Sequence, residues 1–198
     1  LDASAKRFFM MQVDVSDSAS CLRFAKECQE RFGSIDFLVN NASVLRMASV
    51  QEMTDALWRE VIVSNLDSVF YICRSFLPLI NNGGSIVNIA SAAAHRGAVD
   101  HSAYAASKAA VLAFSRSLAR EIATADIRCN AISPGMIDTN MLDVLPNDVL
   151  QSLKQESPFN RLGKTTEIAE AIGFLCSQRS SFVTAETLHV NGAACIAS

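Results

Sequence analysis

Short apolar runs alternate with longer stretches of helical periodicity along this chain of 198 residues. Strands are predicted at residues 8–14, 35–39, 85–89, 127–132 and 187–190. Helices are predicted at residues 17–32, 54–80 (as one helix or two), 101–124 and 165–177. Strands that alternate with helices of this length form β-α-β units around a parallel sheet. Because no linker or repeat separates the units, the sequence predicts one α/β domain over residues 1–198.

Polar residues and glycines mark the predicted ends of these elements. Side chains that accept a hydrogen bond cap helix N-termini, while glycine ends helices and forms turns. The candidates are Ser16 or Asp17 and then Gly33 for the first helix, Thr165 or Thr166 for the last helix, and a turn at Asn82-Gly83-Gly84.

The composition excludes several classes of function. Half of the residues are apolar and 19% are charged, as in an ordinary globular protein. The net charge of −3 and the absence of a basic stripe argue against a nucleic-acid partner, and no apolar run is long enough to span a membrane. Six cysteines lack metal-ligand spacing, which favours buried thiols in a reducing compartment. The sequence therefore predicts a cytoplasmic protein without a metal site.

Tyr104 and Lys108 form the pair that carries the most chemistry. They are four residues apart in a predicted helix, so they share a face, and Ser91 lies thirteen residues before the tyrosine. An ammonium beside a phenol lowers the phenol's pKa and makes it a proton donor and acceptor. A serine hydroxyl can hold the same substrate oxygen. The three side chains together predict the interconversion of a carbonyl and an alcohol.

A series of motifs accompanies this trio in a fixed order. They are Asp14-Val15, Asn40-Asn41-Ala42-Ser43, Asn65, Ile86-Val87-Asn88-Ile89-Ala90-Ser91, Tyr104 with Lys108, and Pro134-Gly135-Met136-Ile137-Asp138-Thr139. With these motifs the chain resembles the short-chain dehydrogenase/reductase family from about residue 8 to about residue 192, with a pattern similar to its 3-oxoacyl carrier-protein reductase branch. The resemblance implies a Rossmann-like doubly wound parallel sheet that binds NAD or NADP.

The resemblance also implies a role for each motif. Tyr104 is the expected general acid, Lys108 lowers its pKa and holds the nicotinamide ribose, and Ser91 binds the substrate oxygen. Asn65 is expected to loosen its helix and to hold a water that links Lys108 to solvent. The expected cofactor contacts are Asp14 and Val15 at the adenine, Asn41 and Ala42 near the adenosine, Tyr104 and Lys108, and Pro134, Gly135, Ile137 and Thr139 around the carboxamide.

Further contacts are expected around the substrate and in the turn after residue 39. Residues 138 to about 161 are expected to form a substrate lid, and His95, Arg96 and His101 are candidates for substrate contact. Ser43 stands where the family has glycine, so its Cβ is expected to matter if that backbone needs a positive φ.

The family's first strand and glycine-rich pyrophosphate turn are not found in this sequence. No Gly-x-x-x-Gly-x-Gly pattern occurs, and the first glycine is Gly33. We therefore expect a chain that lacks its first β-α-β unit and binds NAD(P)H weakly by itself, with residues 35–39 as an exposed sheet edge. The residue that selects NAD or NADP is expected within that unit, so both cofactors stay open.

Several alternatives remain at the level of function. The predicted substrate is a secondary alcohol or ketone, with a 3-oxoacyl thioester favoured, while sugar alcohols, steroids and other ketones stay open. An enoyl reductase is disfavoured because that branch separates its tyrosine and lysine by a wider interval. The competing hypothesis is a non-catalytic binding or oligomerisation module. The resemblance also implies a homotetramer or dimer paired through helices 54–80 and 101–124.

Overall fold

The computed structural model describes residues 8–139 and 147–196. Helices and strands alternate along the chain as the periodicity predicts. In chain order they are α1 (Ser18–Phe32), β1 (Ile35–Asn40), α2 (Asp55–Ile62), a π-helical turn (Val63–Asp67), α3 (Ser68–Phe76), β2 (Ile80–Ile89), α4 (Ala93–Arg96), α5 (Ser102–Ile122), β3 (Arg128–Pro134), β4 (Ile137–Asp138), α6 (Asn147–Gln155), β5 (Gly163–Lys164), α7 (Thr165–Cys176) and β6 (Thr187–Val190), with short 3₁₀ turns at Leu77–Leu79, Ala123–Ala125 and Gln178–Ser180.

The main sheet is parallel and its strands follow one another in chain order. The order is β1-β2-β3-β6, and β4 pairs with β5 in a separate ribbon of two strands. The helical segment α2–α3 connects β1 to β2, α5 connects β2 to β3, and α7 precedes β6. The prediction of an α/β fold with a parallel sheet is confirmed.

Apolar side chains cover both faces of the sheet, because successive strand residues point to opposite sides. Ile86 on β2 packs into a core with α1, α3 and α5, while its neighbour Val87 packs against Leu175 of α7 on the other face. The sheet is therefore doubly wound. At the β1 edge, Phe37 and Val39 remain 51% and 40% exposed.

The helix boundaries agree with most of the predicted signals. Asp17 caps α1 by accepting hydrogen bonds from the backbone N–H groups of Ala19 and Ser20, and Gly33 ends the helix. The cap of α7 is Lys164, so the prediction of Thr165 or Thr166 was wrong. Glu167 supplies the acceptor instead, because its carboxylate accepts the Lys164 N–H at 2.7 Å.

Two predicted elements differ in the structure. Residues 8–14 do not form a strand, since no described strand lies beside them to complete a ladder. The predicted turn at 82–84 lies inside β2, which begins at Ile80. The predicted turn is present as a bulge within the strand. Ile35 pairs with Ile80 while Phe37 pairs with Ser85, so β2 has extra residues between these two pairs, and Gly83 adopts the φ of +81° that the bulge requires.

Buried amides tie the first two strands to α5. Asn88 on β2 is fully buried, accepts a hydrogen bond from the Asn40 amide at 2.8 Å and donates to the Ser115 hydroxyl at 2.9 Å. Ser115 in turn donates to the carbonyl of Val111. This chain of hydrogen bonds fixes α5 across the sheet, and α5 carries Tyr104 and Lys108.

Replacing Asn88 with leucine tests this connection. We expect Asn88→Leu to lower the free energy of unfolding by about 2 kcal/mol, because the partly buried Asn40 amide loses its carbonyl partner and the buried Ser115 hydroxyl loses its amide donor. The matched control is Asn82→Leu on the exposed part of the same strand, which should change stability by less than about 0.5 kcal/mol. Urea unfolding measures both. Equal stability of the two variants would contradict a supporting role for Asn88.

Candidate active site

The carboxyl ends of β1, β2 and β3 meet around one small cavity. It has a volume of about 180 Å³, and its lining includes Asn41 after β1, Ser91 after β2 and Gly135 after β3. Tyr104 and Lys108 of α5 complete the lining. Side chains that are far apart in sequence therefore converge at the edge of the sheet where open α/β folds bind ligands.

Lys108 lies almost entirely inside the protein. The residue is only 3% exposed to solvent, and its ammonium donates a hydrogen bond to the Ile89 carbonyl oxygen at 2.8 Å. The ammonium is 5.8 Å from the centre of the Tyr104 ring. Burial lowers the pKa of Lys108 to about 8, because the charged form loses its hydration.

Tyr104 departs from the predicted electrostatics. Burial raises its pKa above the ordinary value, and the hydroxyls of Ser91 and Ser43 beside it act in the opposite direction. The net shift of the Tyr104 pKa is therefore upward and not downward as the sequence predicts, because burial outweighs the groups beside the phenol. The reason is geometric, since the ammonium is directed to the Ile89 carbonyl while the enclosed phenol loses water.

Ser91 has its hydroxyl proton available. Its oxygen accepts a hydrogen bond from the backbone N–H of Ala93 at 3.2 Å, where the chain turns into α4. A hydroxyl that accepts through its oxygen can still donate its proton. Ser91 and Tyr104 can therefore both donate to an oxygen atom placed between them in the cavity.

Asn65 joins three separate segments beneath the cavity. It is fully buried, and its carbonyl oxygen accepts from the Ser43 hydroxyl at 3.1 Å and the Val44 N–H at 2.8 Å. Its amide donates to the Val44 carbonyl at 2.9 Å and to the Ser107 hydroxyl at 3.1 Å. Ser107 then donates to the carbonyl of Tyr104. The loop after β1 is thereby connected to the helix turn that carries the tyrosine.

The helix around Asn65 is loosened, as the sequence predicts. Asn65 lies in the π-helical turn Val63–Asp67, where the N–H of Ser68 donates to the Val63 carbonyl. A π-helical turn changes the usual pairing of backbone carbonyls. Because protein groups occupy all four hydrogen-bonding positions of the Asn65 side chain, the predicted water would have to bind the backbone of this turn.

The segment after β3 separates the small cavity from a larger one. Pro134 and Gly135 line both, and Ile137 and Thr139 line the larger cavity, whose volume is about 460 Å³. Gly135 packs so close to Asn191 that a Cβ would lie 2.9 Å from its backbone. The larger cavity also opens onto Ser91 and Tyr104, so it is the candidate substrate cavity.

The residues expected at the adenosine are only partly brought together. Val15, Asn41 and Ala42 line a third cavity of about 140 Å³, and Asn41 also lines the catalytic cavity. Asp14 is exposed, and its carboxylate accepts hydrogen bonds from the N–H and the hydroxyl of Ser16. These bonds lower the pKa of Asp14.

The three candidates for substrate contact, His95, Arg96 and His101, lie in two different places. Arg96 and His101 line the substrate cavity, whereas His95 packs against His189 with ring centres 4.7 Å apart. Burial, His189 and Arg116 together lower the pKa of His95.

Of the expected lid, residues 140–146 lie outside the described part of the chain. Leu153 and Glu156 line the substrate cavity from the lid's second half.

Sequence reasoning missed the parts played by Ser43 and Ser107. Ser43 lies beside the Tyr104 phenol and holds Asn65, and its φ is not positive, so its Cβ causes no strain. Ser107 is fully buried between Asn65 and Tyr104. Its position directly before Lys108 on the catalytic helix could have identified Ser107 as a residue of the site.

Other classes of site have little support in the described residues. No helix there is long and apolar enough to cross a membrane. The same residues contain no group of His, Cys, Asp and Glu side chains that could hold a metal ion.

Comparison with known proteins gives matches along nearly the whole chain. The family model described as enoyl-(acyl carrier protein) reductase matches residues 1–193. A curated relative, the 3-oxoacyl-(acyl-carrier-protein) reductase FabG of Salmonella typhimurium, is 38% identical over 184 residues, which is 92% of this chain and 75% of the relative.

Solved structures give the same picture. A short-chain dehydrogenase/reductase of Brucella melitensis, titled glucose/ribitol dehydrogenase, has a TM-score of 0.94 and 41% identity over 98% of this chain and 79% of its own. The ligand-free aldohexose dehydrogenase of Thermoplasma acidophilum has a TM-score of 0.90 and 30% identity over 98% of this chain and 81% of its own.

The buried charge of Lys108 predicts a specific dependence of stability on pH. Its pKa is about 8 in the folded state against 10.5 in the unfolded chain, so the unfolded state binds more protons between these values. The free energy of unfolding therefore gains a contribution as the pH rises from 8 towards 10.5, and this contribution is absent below pH 8. Lys108→Met keeps the apolar stem and removes the titrating group.

We expect the stability of the native protein, relative to Lys108→Met, to increase by about 2 kcal/mol between neutral pH and pH 10. Urea unfolding of both proteins at each pH provides the difference. The control is Lys26→Met on the exposed face of α1, for which the difference should stay constant. A pH-independent difference for Lys108→Met would contradict the depressed pKa.

Proposed function

The chain belongs to the short-chain dehydrogenase/reductase family, and we propose that it reduces the ketone of a 3-oxoacyl thioester to a secondary alcohol with a nicotinamide cofactor. The observation that carries this proposal is the convergence of Ser91, Tyr104 and Lys108 on one cavity. The family and its relatives make the chain an NAD(P)-dependent oxidoreductase; the assignment of individual residues and of the thioester is our proposal.

The described residues fit the nicotinamide end of such a cofactor. Lys108 has three N–H donors and uses one on Ile89, so donors remain for the ribose hydroxyls. Gly135 keeps the backbone after β3 close to Asn191 and open towards the catalytic cavity. We assign the ribose to Tyr104 and Lys108, the carboxamide to Pro134, Gly135, Ile137 and Thr139, and the adenosine side to Asp14, Val15, Asn41 and Ala42.

When bound, the nicotinamide supplies the hydride for the carbonyl carbon. The protein itself supplies the proton that the substrate oxygen receives. The raised pKa keeps the Tyr104 phenol protonated at neutral pH, so it can donate to the oxygen that becomes an alkoxide. Ser91 holds the same oxygen by a hydrogen bond. Lys108, mostly protonated below pH 8, stabilises the negative charge that Tyr104 acquires.

The lining of the substrate cavity favours an acyl ketone over a sugar. Two solved neighbours are named as sugar dehydrogenases, and a polyol needs several hydrogen-bonding partners in its site. Most of this cavity is apolar instead. The apolar side chains that line it are Leu45, Met47, Ala92, Ala93, Ala98, Pro134, Met136, Ile137, Leu153 and Ala194.

A second candidate, enoyl reduction, follows from the description of the matching family model. Reduction of a conjugated double bond and reduction of a ketone differ in the acceptor, and two hydroxyl donors at one cavity suit a carbonyl oxygen directly. Oxidation of NADH and NADPH with an acetoacetyl thioester and with a crotonyl thioester separates the two. Turnover of the acetoacetyl thioester supports ketone reduction, and turnover of the crotonyl thioester alone supports enoyl reduction. If neither thioester is turned over, the result supports a non-catalytic module.

We extend the proposal to the assembly and the compartment. A homotetramer or dimer would cover the exposed aromatic side chains of α2 and α3, where Trp58 is 41% and Phe70 is 42% exposed. The small residues Ala106 and Ala113 are exposed on α5 and allow close approach of a second copy. All six cysteines are free thiols, which fits a cytoplasmic location.

Tyr104→Phe tests the proton donor. We expect kcat for the acetoacetyl thioester to fall by at least about 100-fold, because the phenolic proton is lost, while the dissociation constant of NAD(P)H changes only a few-fold. Tyr71→Phe, at the only other tyrosine in the sequence, is the matched control and should keep normal turnover. Steady-state kinetics and cofactor titration give both quantities. Retention of more than about a tenth of kcat by Tyr104→Phe would remove the tyrosine from this role.

A further inference from the structure

One ion pair lies at the substrate cavity, whose lining is mostly apolar. Arg96, the last residue of α4, donates to the Glu156 carboxylate at 2.5 Å, just after the end of α6. Their side chains are 39% and 32% exposed, so both groups are partly withdrawn from water. The pair connects the wall that follows Ser91 to the wall formed by the segment between β4 and β5.

Both members of the pair face the space where the substrate would bind. Arg96 and Glu156 line the same cavity of about 460 Å³ as Ser91 and Tyr104. Among the described residues that line it, they are the only ones with a fixed charge. Because each neutralises the other, this cavity presents a mostly apolar surface to a ligand, together with the uncharged polar groups of Ser91, Tyr104, Thr139 and His101.

Resting on the proposed reduction of ketones, we propose that the Arg96–Glu156 ion pair restricts this cavity to uncharged ketones. The Glu156 carboxylate accepts a hydrogen bond from one terminal nitrogen of Arg96 and balances the positive charge that would otherwise attract a substrate carboxylate. A guanidinium binds a carboxylate strongly and with defined geometry, so a free Arg96 would select acidic substrates. With Glu156 in place, a substrate carboxylate at Arg96 would lie beside a second carboxylate, and the repulsion between these like charges disfavours its binding.

The proposal makes Glu156 a specificity-determining residue, and we expect removal of its charge to weaken the preference for the ester over the acid. The substrates are acetoacetate, levulinate and the oxo acid with one further methylene between its ketone and its carboxylate. Each acid is compared with its own methyl ester. The measured quantity is the ratio of kcat/KM for the acid to kcat/KM for the ester, within one protein variant. This ratio cancels any general loss of activity, which a purely structural effect would cause for both substrates.

In the native protein we expect every acid to be at least about tenfold poorer than its ester, because Glu156 already balances the charge of Arg96 and repels a second carboxylate. Glu156→Gln should raise the acid-to-ester ratio by at least about tenfold for the chain length that reaches Arg96. The control is the double variant Arg96→Gln with Glu156→Gln, in which that gain should disappear. Arg96→Gln alone should lower the ratio further, since it leaves Glu156 unpaired.

The outcomes separate this inference from the proposed function. Turnover of the esters with an unchanged ratio in Glu156→Gln would overturn the role of the ion pair and leave ketone reduction intact. A native preference for the acids would overturn it as well, because Arg96 would then already bind carboxylates. Turnover of the acetoacetyl thioester but of none of the esters would overturn the inference alone, because the cavity would then not accept these uncharged ketones. Failure on the thioester as well as on every ester and acid, with either cofactor, would refute ketone reduction and the inference with it.

Discussion

The buried amide of Asn65 is the contact on which the geometry of the active site depends. Its four hydrogen bonds reach Ser43 and Val44 after β1 and Ser107 on α5. A fully buried amide is stable only if all of its polar groups are paired, so the three segments have one arrangement that satisfies it. That arrangement requires the helix before α3 to open into a π-helical turn, and it places the first turns of α5 against the carboxyl ends of the strands.

The same enclosure determines the protonation states at the site. Burial raises the pKa of Tyr104 and lowers that of Lys108 only to about 8, so at neutral pH the phenol is protonated and the ammonium is mostly protonated. A protonated phenol is ready to donate to a ketone oxygen, and the adjacent cation stabilises the product phenolate. The stability that burial of Lys108 costs is consistent with a group retained for chemistry.

Sequence patterns predicted the features that repeat locally. The alternation of elements and the helix spacing of Tyr104 and Lys108 are both found in the structure. The opening of the helix at Asn65, which the family resemblance implies, is found as well. The errors concern interactions between distant segments. Residues 8–14 have the composition of a strand but no described neighbour to pair with, and the pKa of Tyr104 depends on burial and on the direction of the Lys108 ammonium. Neither follows from spacing.

Transfer of deuterium from the cofactor tests the central claim most directly. The purified protein is incubated with an acetoacetyl thioester and NADH or NADPH carrying deuterium on both positions of the nicotinamide C4, and the alcohol is analysed by mass spectrometry. The account predicts one deuterium on the carbinol carbon, with the hydroxyl proton supplied by exchangeable groups of the protein. Alcohol without deuterium at that carbon, or no alcohol with either cofactor, would contradict the assignment of hydride transfer to this site.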